Sequence, residues 1–129
     1  MTLPALVTAF FAAGRAAAVS DDSQALHRFR ILAKRLRYAV EILDPEGGKP
    51  WLTPLRLVQE NLGKMQDAVV AAQFLQHLPS LSALARPLPK RLHAEAAQHI
   101  LRFRKTWLRY FHARAEEACL AWARTVQPD

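Results

Sequence analysis

Residues 27–38 read HRFRILAKRLRY, and their apolar and basic side chains recur with the period of an α-helix. At 100° per residue, an arc of about 100° holds the polar set His27, Arg30, Lys34, Arg37, Tyr38 and Glu41. The opposite side holds the apolar set Phe29, Leu32, Ala33, Leu36, Val40 and Leu43. The pattern predicts a helix that packs against a core on one side and presents cations to an anionic partner on the other. A solvated basic face is the competing interpretation.

The rest of the chain also favours helices, because helix-forming residues dominate and no segment alternates apolar and polar side chains with the period of a strand. We therefore predict an all-α fold, an up-down bundle of four helices in a single domain spanning residues 1–129. The predicted helices run from about Leu3 to Ala18, from the capping residues 20–23 to about Leu43, from Thr53 and Pro54 to about Leu78, and from Lys90 to about Val126. Gly63 is a candidate kink in the third helix.

The composition indicates what kind of partner the protein binds and in which cellular compartment we expect it. The 129 residues are 51% apolar and carry 18 Lys and Arg against 11 Asp and Glu, for a formal net charge of +7. Such a chain can bury a core and attracts polyanions. Its single cysteine, Cys119, excludes an internal disulfide and a Cys-rich zinc site. No apolar run is long enough to cross a bilayer, so we expect no membrane partner and a cytoplasmic location.

The last predicted helix carries a second basic stripe, on the face shared by Arg91, Glu95, Gln98, Arg102, Lys105, Arg109, His112 and Glu116. Between Arg102 and His112 this stripe is entirely basic. If both basic faces line one groove, their fields add and concentrate a polyanion there. We assign the aromatic residues Trp107, Tyr110, Phe111 and Trp122 to the core or an interface, because they lie mostly off the stripe.

Two motifs give the chain a resemblance to a known family. The first places His27, an Arg three residues later, a basic pair and Leu36-Arg37-Tyr38 in one segment. The second contains Gln59, Leu62-Gly63 and Asp67. Together they resemble the signature of the CHAD family, the conserved histidine α-helical domain. The resemblance covers residues 26–78 well, and the first and last helices only by their length and position.

This resemblance implies helical bundles made of two related halves, with a basic central cavity that binds inorganic polyphosphate. The present chain has room for one half and resembles the second. Either it is a fragment, or two copies form a C2 homodimer that rebuilds the cavity, which is the arrangement we favour. The implied role is non-catalytic polyphosphate binding without a cofactor, with association with polyphosphate granules as a further expectation.

The resemblance also implies which residues contact phosphate: His27, Arg30, Lys34, Arg35 and Arg37, with Tyr38 as a hydroxyl donor. Helical geometry adds Arg102, Lys105, Arg109 and His112, and Lys64 is a further candidate. We expect Gly63 to let neighbouring helices approach and Asp67 to orient basic side chains.

Other functions rank behind polyphosphate binding. His27 could accept a phosphoryl group as in a phosphotransfer module, but the bulky residues Phe29, Ile31 and Leu32 follow it where such modules usually have a small residue that lets a partner dock. Nucleic acid, RNA in particular, would be held through its backbone, although no stacking surface supports base recognition. An enzyme with a metal or hydrolytic site is not expected, because no known motif is present. We predict that His77, His93 and His99 are surface residues or connector contacts and that Cys119 is a buried apolar residue.

Overall fold

The computed structural model describes residues 1–128, which contain five α-helices and no strand. These are α1 (Leu3–Ala18), α2 (Ser23–Leu43), α3 (Lys49–Gln76), α4 (Leu88–Tyr110) and α5 (Ala113–Val126). Helices account for 80% of the chain, which confirms the predicted all-α class.

The first two helices begin and end where the sequence predicts. Thr2 caps α1 by accepting a hydrogen bond from the Ala5 amide, and Pro4 lies in the first turn, where its missing N–H costs nothing. The Asp22 carboxylate accepts from the Gln24 amide and caps α2. Thr and Asp are unfavourable inside a helix and favourable at its N-terminus, so the sequence could predict where both helices begin.

The third helix begins at Lys49, four residues before the predicted start at Thr53. Pro50 takes the first-turn position that we assigned to Pro54, and Pro54 lies inside the helix. Trp51 explains the earlier start, because its ring packs against Trp122 with 5.5 Å between ring centroids. Burial of this side chain outweighs the backbone hydrogen bond that Pro54 cannot donate.

The prediction of a single last helix is wrong. The helix ends at Tyr110, Phe111 adopts φ −115° and ψ 48°, and His112 is extended at φ −83° and ψ 179° before α5 starts. The break lets α5 turn back along α1, where Arg15 pairs with Glu116 at 3.1 Å and Gln127 accepts from the Leu3 amide. The described chain therefore has five helices where four were predicted.

An aromatic cluster joins α1, α2 and α4. Phe10 lies 5.2 Å from Phe29, 5.7 Å from Trp107 and 5.2 Å from Phe111, measured between ring centroids. Trp107 and Phe111 are buried, as is Trp122, which confirms their assignment to the core. Cys119 is also buried as predicted, and this burial raises the pKa of its thiol to about 12.

The close helix approach that the sequence suggested at Gly63 occurs instead at another glycine, Gly14. Gly63 was expected to permit close helix packing, but a β-carbon added there would meet nothing within 4 Å, so that expectation is wrong. Gly63 does not end α3 either, since the helix continues to Gln76. The close approach occurs at Gly14, where an added β-carbon would overlap the Trp107 ring. Any larger residue at Gly14 would displace that indole from the core.

Candidate functional site

A cavity of about 340 Å³ lies between α2 and α3. Its lining contains five of the predicted binding residues, all on α2: His27, Arg30, Lys34, Arg35 and Tyr38. Ile31 and Ala33 complete the α2 wall, and Gln59 and Leu62 form the wall supplied by α3. The structure thus gathers most of the first motif around one concave surface and adds two residues of the second motif to it.

The apolar side of α2 positions these cations. Phe29, Ala33 and Leu36 are buried in the core, with at most 1% of each side chain exposed. They fix the rotation of the helix about its own axis, because turning it would expose an aromatic ring and a leucine to water. The basic side chains three or four residues along are thereby held at the cavity.

The cavity cations have no counterion in the part of the chain that the structure describes. Among residues 1–128, His27, Arg30, Lys34 and Arg35 form no ion pair and no side-chain hydrogen bond. No carboxylate lines the cavity either. Neighbouring like charges on a helix cost a few tenths of a kcal/mol per pair, and an anion in the cavity would offset that cost.

Arg37 lies outside the cavity lining, although the resemblance assigns it to phosphate. Its guanidinium Nη1 is 3.5 Å from Glu41 Oε1, which also accepts from Arg56 at 3.2 Å. The same guanidinium lies over the ring of Tyr38, 5.0 Å from the ring centroid. Arg37 therefore supports a ring that lines the cavity and is itself paired with a carboxylate.

The two predicted polar residues of α3 lie in another part of the structure. Lys64 donates to Glu60 at 2.9 Å, and this hydrogen bond and charge lower the pKa of the Glu60 carboxyl. Lys64 and Asp67 line a separate groove between α3 and α4. Asp67 forms no ion pair with the cavity cations, so the orienting role expected of it is not seen.

The basic stripe of α4 does not join the cavity. Arg102, Lys105 and Arg109 are exposed, and none of them is among the lining residues. His112 has a structural role, because its Nδ1 accepts a hydrogen bond from the Ala115 amide at 3.3 Å and caps α5. The expectation that both stripes line one groove is therefore not met.

Four residues of the cavity wall were not predicted as such from the sequence. Gln59 and Leu62 were recognised only as motif residues, yet both line the cavity, and Ile31 and Ala33 form apolar parts of its wall. A signal for Gln59 and Leu62 existed, since residues three apart on a helix share a face. His99 was predicted to be a surface residue or a connector contact, and this prediction is wrong: it lies inside α4 and only 7% of the residue is exposed, because it is on the same side of the helix as Ala96 and Phe103.

The described residues provide no metal centre, since residues 1–128 contain no group of three or more His, Cys, Asp or Glu side chains arranged to hold a metal ion. Among the same residues, no helix combines the length and the apolar character needed to cross a membrane.

Comparison with known proteins identifies the family. Residues 2–76 of the 129-residue chain match the CHAD domain, a match that covers α1, α2 and α3 together with the whole cavity. The CHAD domain is known in association with polyphosphate-related proteins. Neither curated proteins nor solved structures gave a match. Because the family match spans more than half of the chain and contains both motifs, the chain belongs to the CHAD domain family.

Proposed function

We propose that this protein binds inorganic polyphosphate, without chemical conversion, in the cavity between α2 and α3. The observation that carries the proposal is the convergence of His27, Arg30, Lys34 and Arg35 on one concave surface without a counterion among the described residues. A surface whose charges serve only solubility has no need to gather them in a cavity and to exclude carboxylates from it.

The residue types suit a chain of phosphates. The guanidinium groups of Arg30 and Arg35 can each donate two parallel hydrogen bonds to phosphate oxygens, whereas Lys34 supplies a mobile point charge. Tyr38 and Gln59 add neutral donors at the cavity wall. His27, Arg30, Lys34 and Arg35 outnumber the two neutral polar side chains of the wall, which favours an uninterrupted chain of phosphates over RNA.

The stripe on α4 has a different part in this proposal. Arg102, Lys105 and Arg109 lie outside the cavity, so they contribute long-range attraction that speeds the approach of a polyanion. The capping role of His112 leaves its Nδ1 engaged with the backbone. Direct contacts with bound phosphate are assigned to the cavity residues.

We further propose that two copies complete the binding site as a C2 dimer. The cavity is lined by α2 and α3 only, and Gly63, next to the lining residue Leu62, leaves open space on α3. A second copy at this open side would double the number of cations around one polyphosphate chain. The anion would offset the repulsion between two chains of net charge +7. Retention at polyphosphate granules in the cytoplasm is the expected cellular consequence.

The first experiment titrates the full chain with long-chain polyphosphate and, separately, with a single-stranded RNA of equal charge. A salt concentration of about 0.15 M screens exposed charges beyond roughly 8 Å, so a shaped cavity is favoured over diffuse attraction. We expect clear preference for polyphosphate. Equal affinity would assign the chain to RNA backbone binding, and no binding would leave a solvated basic face.

Arg30→Glu, with Arg28→Glu as its matched control, tests the location. Both residues are on α2 and both variants change the net charge equally, but only Arg30 lines the cavity. Arg30→Glu should weaken polyphosphate binding by about tenfold or more, since a charged hydrogen bond is replaced by repulsion. Arg28→Glu should cost only the general loss of attraction. Equal losses would place the polyphosphate elsewhere.

Light scattering with and without polyphosphate tests the dimer. The dimer requires about twice the 14.5 kDa of one chain. A monomer that binds polyphosphate with undiminished affinity would overturn the shared site while leaving the cavity proposal intact.

A further inference from the structure

Helices α3 and α4 form a hairpin whose turning end lies beyond the core. We name residues 74–91 the hairpin tip, which consists of the last turn of α3, the connector 77–87 and the first turn of α4. In the described chain, the buried core cluster has no member between Ala68 and Ala96. The side chains of the tip are therefore free of the packing that holds the helices together.

The hairpin tip nevertheless exposes four large apolar side chains. Phe74 is 65% exposed and Leu84 is 92% exposed, and Leu78 and Leu88 are also exposed. Single apolar residues at a protein surface are ordinary, but four at one end of a hairpin indicate a contact surface. This surface shares no residue with the polyphosphate cavity, so polyphosphate binding does not account for it.

Leu84 lies inside a hydrogen-bonded turn. The Ser82 carbonyl accepts from the amides of Ala85 and Arg86 at 3.0 and 3.1 Å, and the Leu88 amide donates to the Ala85 carbonyl at 3.1 Å. The Ser82 hydroxyl oxygen also accepts from Ala85 at 3.3 Å. Because these backbone groups are already paired, removing water from around the turn costs them little. The turn can thus present Leu84 to an apolar medium.

The hairpin tip carries cations and no carboxylate. The sequence has no acidic residue between Asp67 and Glu95, although the whole chain has 11. Arg86, Lys90 and Arg91 are exposed, and they form no ion pair within residues 1–128. Cations beside exposed apolar side chains complement a partner that is anionic at its surface and apolar beneath it. An anionic lipid bilayer has this profile.

The shape of the tip favours a bilayer over an acidic protein. Leu84 has almost no protein around it, and no tip residue lines the cavity between α2 and α3 or the groove between α3 and α4. A projecting apolar side chain enters a bilayer without a matching pocket, whereas a protein partner would have to supply one. The expectation of no membrane partner rested on the absence of a spanning segment, and contact at a bilayer surface needs no such segment.

We propose that the hairpin tip binds the surface of an anionic lipid bilayer. Phe74 and Leu84 enter the boundary between the headgroups and the acyl chains, and Arg86, Lys90 and Arg91 contact the headgroup phosphates. Because the tip and the polyphosphate cavity share no residue, each can bind its partner without the other.

The first test measures co-sedimentation of the full chain with lipid vesicles at about 0.15 M salt, without polyphosphate. One set of vesicles contains three parts phosphatidylcholine to one part phosphatidylglycerol, and the other contains phosphatidylcholine alone. The anionic vesicles should bind the protein about 100-fold more tightly, because three cations contribute to the contact. Equal binding to both sets, or no binding to either, would overturn the proposal.

A pair of neutral variants locates the contact. Leu84→Ser and Leu108→Ser each remove an exposed leucine, 92% and 75% exposed, without changing the net charge. Leu84→Ser should weaken binding to the anionic vesicles by about tenfold, since one buried leucine is lost from the contact. Leu108→Ser, on α4 outside the tip, should change it by less than about twofold. Equal losses would place the contact elsewhere.

A fluorescent dye reports insertion directly. The single native cysteine, Cys119, is buried, so a thiol-reactive, polarity-sensitive dye labels Leu84→Cys at the tip and Leu108→Cys on α4. With anionic vesicles, the dye at residue 84 should shift its emission to the blue, and the dye at residue 108 should change little. Poly-L-glutamate serves as an acidic polypeptide without lipid. An equal or larger response to poly-L-glutamate would assign the tip to an acidic protein, and equal responses at residues 84 and 108 would refute insertion.

A charge-matched pair of double variants tests the cations. Arg86→Gln with Lys90→Gln removes two tip cations, whereas Lys49→Gln with Arg114→Gln removes two exposed cations elsewhere. Both pairs lower the net charge equally. The tip pair should weaken binding to the anionic vesicles by about tenfold or more, and the control pair by much less. Equal weakening would show that the lipid is attracted by the whole molecule and would refute a site at the tip.

Discussion

Helices α2 and α4 carry similar basic stripes but place them in different surroundings. On α2, four cationic or protonatable side chains face a cavity closed on the other side by α3. On α4, Arg102, Lys105 and Arg109 remain exposed outside that cavity. A helical pattern defines which residues share a face, but the neighbouring helix decides whether that face becomes a site.

The largest expected effect is a loss of stability when the buried face of α4 is changed. Trp107 lies in the aromatic cluster, 5.1 Å from Phe111 between ring centroids, and covers Gly14. Trp107→Ala should lower the free energy of unfolding by about 3–5 kcal/mol, because it leaves a large cavity in the core. Chemical denaturation measures this directly. A loss below about 1 kcal/mol would show that α4 is not anchored by this ring.

Charge reversal on the two outer faces tests the comparison itself. Lys34→Glu with Arg35→Glu should weaken polyphosphate by about 100-fold, because two charged contacts of about 1.5 kcal/mol each are lost. Lys105→Glu with Arg109→Glu changes the net charge equally and should weaken it only severalfold, with a steeper loss at low salt. Isothermal titration at matched salt distinguishes the pairs. A larger loss from the α4 pair would reverse our assignment of the site.

A substitution at His112, which caps α5, tests whether this member of the predicted basic stripe stabilises the fold or binds polyphosphate. His112→Ala removes the acceptor for the Ala115 amide and should destabilise the fold by about 1 kcal/mol. Polyphosphate affinity should stay within about twofold of wild type, because His112 lies outside the cavity. Thermal unfolding and a binding titration on the same sample provide both values. Lost affinity with unchanged stability would restore His112 as a binding residue.

The smallest effect is expected from removing the charge of Glu41, whose carboxylate pairs with both Arg37 and Arg56. Glu41→Gln frees Arg37 and Arg56 from their ion pairs and should change stability by less than about 1 kcal/mol. Affinity for polyphosphate should rise by about twofold relative to Glu46→Gln, which changes the net charge equally at an exposed loop position. Equal affinities for the two variants would show that Glu41 does not restrain Arg37.

Local signals explain why α1 and α2 were predictable and the later boundaries were not. Thr2 and Asp22 cap their helices through hydrogen bonds to residues two or three positions away, so both partners of each bond lie close together in the sequence. The start of α3 depends on the contact of Trp51 with Trp122, and the end of α4 depends on the burial of Phe111 against α1. Neither partner is visible from a window of neighbouring residues.

The candidate site divides in the same way. The positions of Arg30 and Lys34 on one face follow from helical spacing, which any helix of this sequence would share. That Gln59 and Leu62 close the cavity depends on how α3 packs against α2. That Glu41 pairs with both Arg37 and Arg56 could be predicted only in part, because the pair with Arg37 lies within one helix and the pair with Arg56 joins α2 to α3.

The sequence by itself determined the helical class, the basic character and the family motifs of this protein, because composition and short-range periodicity are local properties. The tertiary structure decided which cations meet in a cavity, where the last helix breaks, and which glycine accepts a close neighbour. It also buried His99 beside a groove between α3 and α4, whose two carboxylates, Asp67 and Glu95, form no ion pair within residues 1–128. These outcomes depend on contacts between residues far apart in the chain. Only the packing of one helix against another brings such residues together.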